Sequence, residues 1–193
     1  MMDGGRPSMA AIILAAGQSR RMGAVNKLLL DVNGVPMIRG VVETLMRDEI
    51  EPVVVVTGHE YEQVEACLEG IPVQFAFNPR YEEGMGASIA VGIRSLAAGR
   101  HSGVLVCVGD LPNLNSSVVA KLVNAFQAER GQRIVAPVFK GKRGHPVLFP
   151  IGYSEKLKQL RGDVGARDLL RQDAQLVVEL ETEDDGVTRD WDA

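Results

Sequence analysis

Cysteine is scarce in this chain: Cys67 and Cys107 are the only two among 193 residues, and neither stands in metal-ligand spacing. That excludes a disulfide framework and a thiolate zinc site, and leaves two reduced thiols of the kind cytoplasmic proteins carry. Cys107 falls in the apolar run 104–108 as a small core residue, and Cys67 falls in a helical stretch. Long apolar runs are missing too, so no segment is read as a membrane span, and nothing has the pattern of a signal peptide. Residues 1–9 read as a disordered leader, polar and glycine-containing through Ser8, ahead of a single domain over 10–193. A cytoplasmic location is the expectation. There is no excess of charge of one sign: 21 Lys and Arg against 25 Asp and Glu give a net charge of −4 and a pI of about 5.4. General attraction to nucleic acid or to an anionic membrane is thereby excluded, and local basic clusters become informative as anion sites. What remains, 46% apolar and 24% charged, is the composition of a soluble globular domain with a sizeable core.

Strand-like and helix-like segments alternate. Residues 10–14 read as a first strand, 36–47 as a helix with Pro36 in its first turn, and 52–57 as a β-branched strand buried on both faces. Next come a helix over 60–68, a strand over 73–77, a helix over 87–97 and a buried strand over 104–108. A helix over 116–129 has Asn115 or Ser116 as its cap. This alternation specifies an α/β fold with a mostly parallel sheet. After residue 130 the pattern changes: strands over 133–139 and 146–149 flank 140–145 as a β-hairpin turn. Short helices over 154–160 and 165–171 and a strand over 176–181 follow, and no helix closes 186–193.

Two familiar phosphate loops are absent. Lys27 is not adjacent to a loop glycine and is followed by Leu28, which has no hydroxyl for Mg²⁺, so no Walker-type loop is present. Gly17 and Gly23 are wrongly spaced for a dinucleotide fingerprint. What is present is Leu14-Ala15-Ala16-Gly17-Gln18-Ser19-Arg20-Arg21-Met22-Gly23, then Lys27, directly after the first strand. Small residues let backbone N–H groups approach phosphate oxygens, and the cations neutralise them, so the segment suits a polyphosphate. In an open parallel sheet, ligands bind outside the carboxyl ends of the strands. Thr57-Gly58 and Gly109-Asp110-Leu111-Pro112 end two further strands there, and Asp110 can offer a carboxylate to a Mg²⁺ held by phosphates. The cluster from Lys140 to His145 is a second local anion site.

These residues resemble the MobA/MocA-like nucleotidyltransferases, and most closely the molybdenum cofactor cytidylyltransferases. The likeness runs from Ala10 to Ala193 and includes Asn78-Pro79, Glu83-Gly84-Met85-Gly86-Ala87-Ser88, Arg143-Gly144-His145-Pro146-Val147-Leu148-Phe149 and Gly162-Asp163-Val164-Gly165-Ala166-Arg167. The start Leu-Ala-Ala-Gly, where the guanylyltransferase branch has Leu-Ala-Gly-Gly, favours CTP over GTP. The resemblance implies a three-layer Rossmann-like fold of the nucleotide-diphospho-sugar transferase type, with a mostly parallel sheet and a β-hairpin insertion. It implies transfer of CMP from CTP to the terminal phosphate of molybdenum-molybdopterin, with release of pyrophosphate. A molybdoenzyme or its chaperone would receive the product. Leu14, Ala15, Ala16 and Gly17 match the segment that holds base and ribose, Arg21 the arginine over the triphosphate, and Lys27 the lysine near the α-phosphate. Arg20 occupies a position the motif leaves open. Ser88 resembles a base-recognition serine, Asp110 the first Mg²⁺ ligand, and Arg143 and His145 acceptor-binding residues. Asp192 is the nearest match to the second metal ligand, with Asp190 as its neighbour, although Asp190-Trp191-Asp192-Ala193 lacks the family's Thr-Pro continuation. The rivals are a related transferase using GTP or another phosphorylated acceptor, a molybdopterin-carrying partner protein, and a redox enzyme on the same scaffold. The last lacks a flavin or nicotinamide motif.

Overall fold

The computed structural model describes residues 9–18, 25–46, 50–97, 101–163 and 165–189. In chain order its elements are β1 (Met9–Ala15), a 3-10 turn (Lys27–Leu29), β2 (Asp31–Val32), β3 (Val35–Pro36), α1 (Met37–Met46), β4 (Val53–Thr57), α2 (Tyr61–Cys67), β5 (Gln74–Phe77) and a 3-10 turn (Tyr81–Glu83). Then follow α3 (Met85–Ser95), β6 (Gly103–Val108), α4 (Ser116–Ala128), β7 (Ile134–Phe139), β8 (Lys142–Arg143), β9 (Val147–Pro150), α5 (Ser154–Lys158), α6 (Arg167–Gln172), β10 (Val177–Glu181) and a 3-10 turn (Asp185–Val187).

The main sheet runs β10-β7-β9-β6-β1-β4-β5, with β8 on the side of β7. β1 is parallel to β4 and β6, β4 to β5, and β7 to β10. β9 lies antiparallel between β6 and β7, and β8 is antiparallel to β7. This is the α/β, three-layer, mostly parallel architecture that the alternation and the resemblance predict. Both faces are covered, which is why Val-Val-Val-Val-Thr of β4 is buried throughout. The period of two along β1 divides the core. Ala11, Ile13 and Ala15 pack with Ile38, Val41, Val42 and Leu45 of α1 and with Leu122 and Phe126 of α4. Ile12 points the other way, to Ile89 and Ile93 of α3, Leu157 of α5 and Leu169 and Leu170 of α6.

Several boundaries differ from the sequence reading for identifiable reasons. Met9 belongs to β1 and is 4% exposed, so the strand reaches into the expected leader. Pro36 is not in a helical turn: it pairs with Asp31 across a small hairpin whose Asn33-Gly34 corner has φ of 56° and 90°. The Asp31 carboxylate accepts from the Gly34 N–H at 2.7 Å, and α1 then starts at Met37. The expected turn over 140–145 is only Lys140-Gly141, both at positive φ, because Lys142 and Arg143 already pair with β7. α3 begins at Met85, ahead of the expected Ala87. Asn115 caps α4 as expected, its side-chain oxygen accepting from the Ser117 N–H at 2.8 Å. None of the described helices is long and apolar enough to cross a membrane.

From β1 the chain builds outward through β4 and β5, then returns to place β6 on the other side of β1. The switch point is therefore the carboxyl end of the β1–β6 pair, where an open sheet of this kind leaves room for a ligand.

Candidate active site

A cleft of about 330 Å³ opens at that point, within the usual range for a small-ligand site. Leu14, Ala16, Gly17 and Gln18 line it from the end of β1, and Val108 and Asp110 from the end of β6. Lys27 and Leu28 come from the 3-10 turn after β1, and Asp163 from the loop before α6. Tyr81, Glu82, Gly84, Met85 and Ser88 close the remaining wall from the second 3-10 turn and the start of α3. The Gln18 amide donates to the Glu82 carboxylate at 3.0 Å, joining the loop after β1 to that wall.

The floor of the cleft is an ion pair. Lys27 Nζ lies 2.5 Å from Asp110 Oδ2, with the two side chains 19% and 17% exposed. Local structure brings both there. Asn26, 5% exposed, accepts from the Leu28 N–H at 3.2 Å and so caps the short turn that Lys27 opens. Gly109 donates its N–H to the Leu14 carbonyl at 3.0 Å, holding the end of β6 against β1. A Cβ on Gly109 would lie 2.8 Å from Ile38 Cδ1, so glycine permits this close approach and Asp110 emerges directly beside the β1 outlet.

The wall formed by α3 depends on contacts between segments far apart in sequence. The Gly86 N–H donates to the Gly162 carbonyl at 2.8 Å, and a Cβ on Gly86 would come 2.7 Å from the Arg161 nitrogen. Gly84 has φ of 99°, where glycine is favoured, and a Cβ there would collide with Gly162 and Asp163. Two of the motif stretches are thus a single packed unit, and that unit carries Asp163 to the rim. Deeper in, Ser88 is 4% exposed and accepts from the amide of Asn78, which is fully buried, at 3.1 Å.

Of the residues singled out in the sequence, Leu14, Ala16, Gly17, Lys27, Ser88 and Asp110 meet in this cleft. Ala15 pairs with Thr57 in the sheet and sends its methyl into the core. Arg143 is elsewhere: its guanidinium donates to Glu179 of β10 at 2.6 Å and to the Leu170 carbonyl at 3.5 Å. His145 lies between β6 and the last 3-10 turn, its backbone N–H donating to the Val187 carbonyl at 2.8 Å and its Nδ1 3.4 Å from the Val106 carbonyl. Burial lowers the pKa of its imidazole below the ordinary value; the Val106 contact and the Asp110 charge oppose that shift, while Arg167 adds to it. A group so depressed is neutral at pH 7, which suits packing or hydrogen bonding rather than charge pairing with a phosphate. Arg20, Arg21, Asp190 and Asp192 lie outside the described residues. The last 3-10 turn is anchored beside the Asp110 loop: Val187 is 1% exposed, and Gly186 lies against the Asn113 carbonyl. Tyr81 and Glu82 were not singled out from sequence, and Gln18, Asn78 and Asp163 were noted only within motif stretches. Their roles come from packing between distant segments, and the only local signal was their neighbourhood to Pro79, Gly84 and Gly162.

Residues 11–177 match the family described as the MobA-like NTP transferase domain. Over 200 residues the chain is 29% identical to nicotine blue oxidoreductase of Paenarthrobacter nicotinovorans, an alignment covering 100% of this chain and 96% of that relative. Over 161 residues it is 32% identical to a probable molybdenum cofactor guanylyltransferase of Methanosarcina acetivorans, covering 81% of this chain and 68% of the relative. The crystal structure of Rv0371c from Mycobacterium tuberculosis H37Rv superposes with a TM-score of 0.81 at 22% identity, over 91% of this chain and 88% of that one. A manganese complex of the same protein gives a TM-score of 0.77 at 19% identity, with the same coverage. At these identities the structural likeness is one of fold.

Proposed function

The chain belongs to the MobA-like NTP transferase family, and from that premise we propose that it moves CMP from CTP to the terminal phosphate of molybdenum-molybdopterin. In this reaction an acceptor phosphate oxygen attacks the α-phosphorus, the bond between the α-phosphorus and the bridging oxygen breaks, and pyrophosphate leaves. The observation that carries the reading is the Lys27–Asp110 pair on the floor of a cleft at the topological switch point. The two side chains that neutralise each other here have the chemistry to hold a metal–triphosphate: Lys27 would hold a phosphate oxygen, and Asp110 a divalent ion. Asp110 fits a Mg²⁺ site because one or two carboxylates suffice where phosphates supply other ligands. Among the described residues no three metal-ligating side chains cluster, and Asp192 is proposed as the second ligand. Bound there, a divalent ion would neutralise charge on the triphosphate and the departing pyrophosphate.

The protein's own residues do the positioning. Backbone groups of Leu14, Ala15, Ala16 and Gly17 hold base and ribose, Lys27 faces the α-phosphate, and Arg21 covers the triphosphate. His145 would contact the acceptor, and Arg143 would serve it only by leaving Glu179. CTP is preferred over GTP on the strength of the Leu-Ala-Ala-Gly start. A molybdoenzyme or its chaperone would then take up the product in the cytoplasm.

The test is pyrophosphate release with each of the four nucleoside triphosphates and molybdenum-molybdopterin. CTP should support transfer, and EDTA should abolish it. Transfer with GTP alone would defeat the cytidylyl assignment, and release with none of the four would defeat nucleotide transfer to this acceptor. A second reading is favoured by the relative named an oxidoreductase, whose alignment spans the whole chain. On that reading the same cleft serves a redox reaction. It predicts consumption of NADH, NADPH or a bound flavin by the purified protein, whereas the transferase reading predicts a colourless protein that leaves both nicotinamides unoxidised.

A further inference from the structure

Resting on the nucleotide reading of the cleft, in which Ser88 is the base-recognition serine, two hydrogen bonds in series fix the orientation of a hydroxyl that lines its wall. The series starts at the Arg80 backbone N–H, which can only donate and which meets Asn78 Oδ1 at 3.0 Å. The oxygen of that amide is therefore assigned by its partner, and the Asn78 side chain cannot be turned over. Its Nδ2 then faces Ser88 Oγ at 3.1 Å and donates to it. Asn78 is fully buried and its own backbone N–H is taken by the Thr57 carbonyl at 2.8 Å, so neither water nor rotation offers the amide another arrangement.

Ser88 is left with its hydroxyl hydrogen. Serines and threonines in helices commonly return that hydrogen to a carbonyl one turn back. Here Thr44 donates to the Gly40 carbonyl at 2.8 Å and Ser95 to the Gly92 carbonyl at 2.8 Å. Among the described residues Ser88 has no such acceptor, and it lines the cleft at 4% exposure. We propose that Asn78 is a positioning residue which presents the Ser88 hydroxyl as a donor to the nucleobase, so that the cleft requires a base acceptor, a carbonyl oxygen or a ring nitrogen, at that point.

Calorimetric titration with CTP and with inorganic tripolyphosphate, each with Mg²⁺, tests this. Ser88→Ala should weaken CTP about tenfold, the cost of leaving a base acceptor without its donor, and change tripolyphosphate less than twofold. Asn78→Asp offers Ser88 a carboxylate acceptor, draws the hydroxyl hydrogen away from the cleft, and should cost CTP as much. In the Ser88→Ala background it should cost nothing more. Asn78→Ser keeps an acceptor for Arg80 without adding a buried charge, and should weaken CTP about threefold through lost orientation. That variant keeps the role of Asn78 testable if Asn78→Asp does not fold. Ser88→Ala binding CTP like the parent protein would overturn the proposal, as would equal losses for CTP and tripolyphosphate. If the parent protein binds no nucleoside triphosphate at all, the nucleotide reading itself fails and the proposal with it.

Discussion

Lys27 and Asp110 each restrain the other at the position where the other's ligand must enter. A cation about 4 Å from a phosphate oxygen at an effective dielectric near 20 gains roughly 4 kcal/mol, an upper bound for one contact. Expressed fully in the transition state, that corresponds to about a thousandfold in rate. Lys27→Met should therefore slow transfer by a hundredfold to a thousandfold, measured as pyrophosphate release. The same substitution removes the cation that faces the Asp110 carboxylate. Binding of Mn²⁺ without nucleotide, followed by the loss of the free-ion electron paramagnetic resonance signal, should consequently become tighter. Asp110→Asn should have the opposite metal phenotype, with weaker Mn²⁺ uptake and an intact fold, since both side chains stand at the mouth of the sheet rather than in its core. Unchanged Mn²⁺ affinity in Lys27→Met would show that the ion pair does not compete with the metal.

The cleft wall is only as firm as the contact between the start of α3 and the loop 161–163. Gly86→Ala would push a methyl to within 2.7 Å of the Arg161 backbone nitrogen, and backbone yields less than a side-chain tip. Overpacking of this kind costs about 1–3 kcal/mol, so the urea midpoint should fall and CTP binding weaken with it. A neighbouring contact gives the fold an acid-sensitive clasp. Lys156 of α5 and the Tyr153 hydroxyl donate to Asp173, at the end of α6, at 2.7 and 3.0 Å. These two bonds hold the Asp173 pKa below its ordinary value. In that case the unfolded chain binds the proton more readily, and the contribution is present above the unfolded pKa, near 3.9, and lost as pH falls through the folded value. Asp173→Asn should flatten the decline of melting temperature between pH 5 and 3. How much of this was legible from sequence follows from the same geometry. The Val-Val-Val-Val-Thr run announces a strand covered on both faces, and a strand end announces where Asp110 and the Lys27 loop can meet. The antiparallel direction of β9 against β7 is legible in the hairpin turn between them, whereas its insertion beside β6 leaves no trace, because Val-Leu-Phe-Pro is equally apolar next to any strand. The β2–β3 hairpin is too short to show a period, although Asn33-Gly34 marks its corner. Asn78, Glu82 and Asp163 were illegible as site residues because only the packing of three distant segments brings them to one wall.

At the scale of the molecule, the ligand cleft and the fold's stability are linked by the switch point. β1 contributes alternate residues to both halves of the core and ends in the loop that lines the cleft. A ligand held there braces β1, β6 and the start of α3 at once, and it binds the folded chain alone. Mass action then sets the size of the effect: at a hundred times its dissociation constant a ligand stabilises by about 2.7 kcal/mol. For a domain of this length each kcal/mol moves the midpoint by about 2–4 °C, so saturating CTP with Mg²⁺ should raise the melting temperature by roughly 5–10 °C. Adding EDTA should remove most of that rise, because the Asp110 contact to the triphosphate would run through a divalent ion. A rise that survives EDTA would assign the affinity to the base and ribose contacts rather than to the charged floor. No rise with any of the four nucleoside triphosphates would remove the cleft from nucleotide chemistry and favour the redox reading.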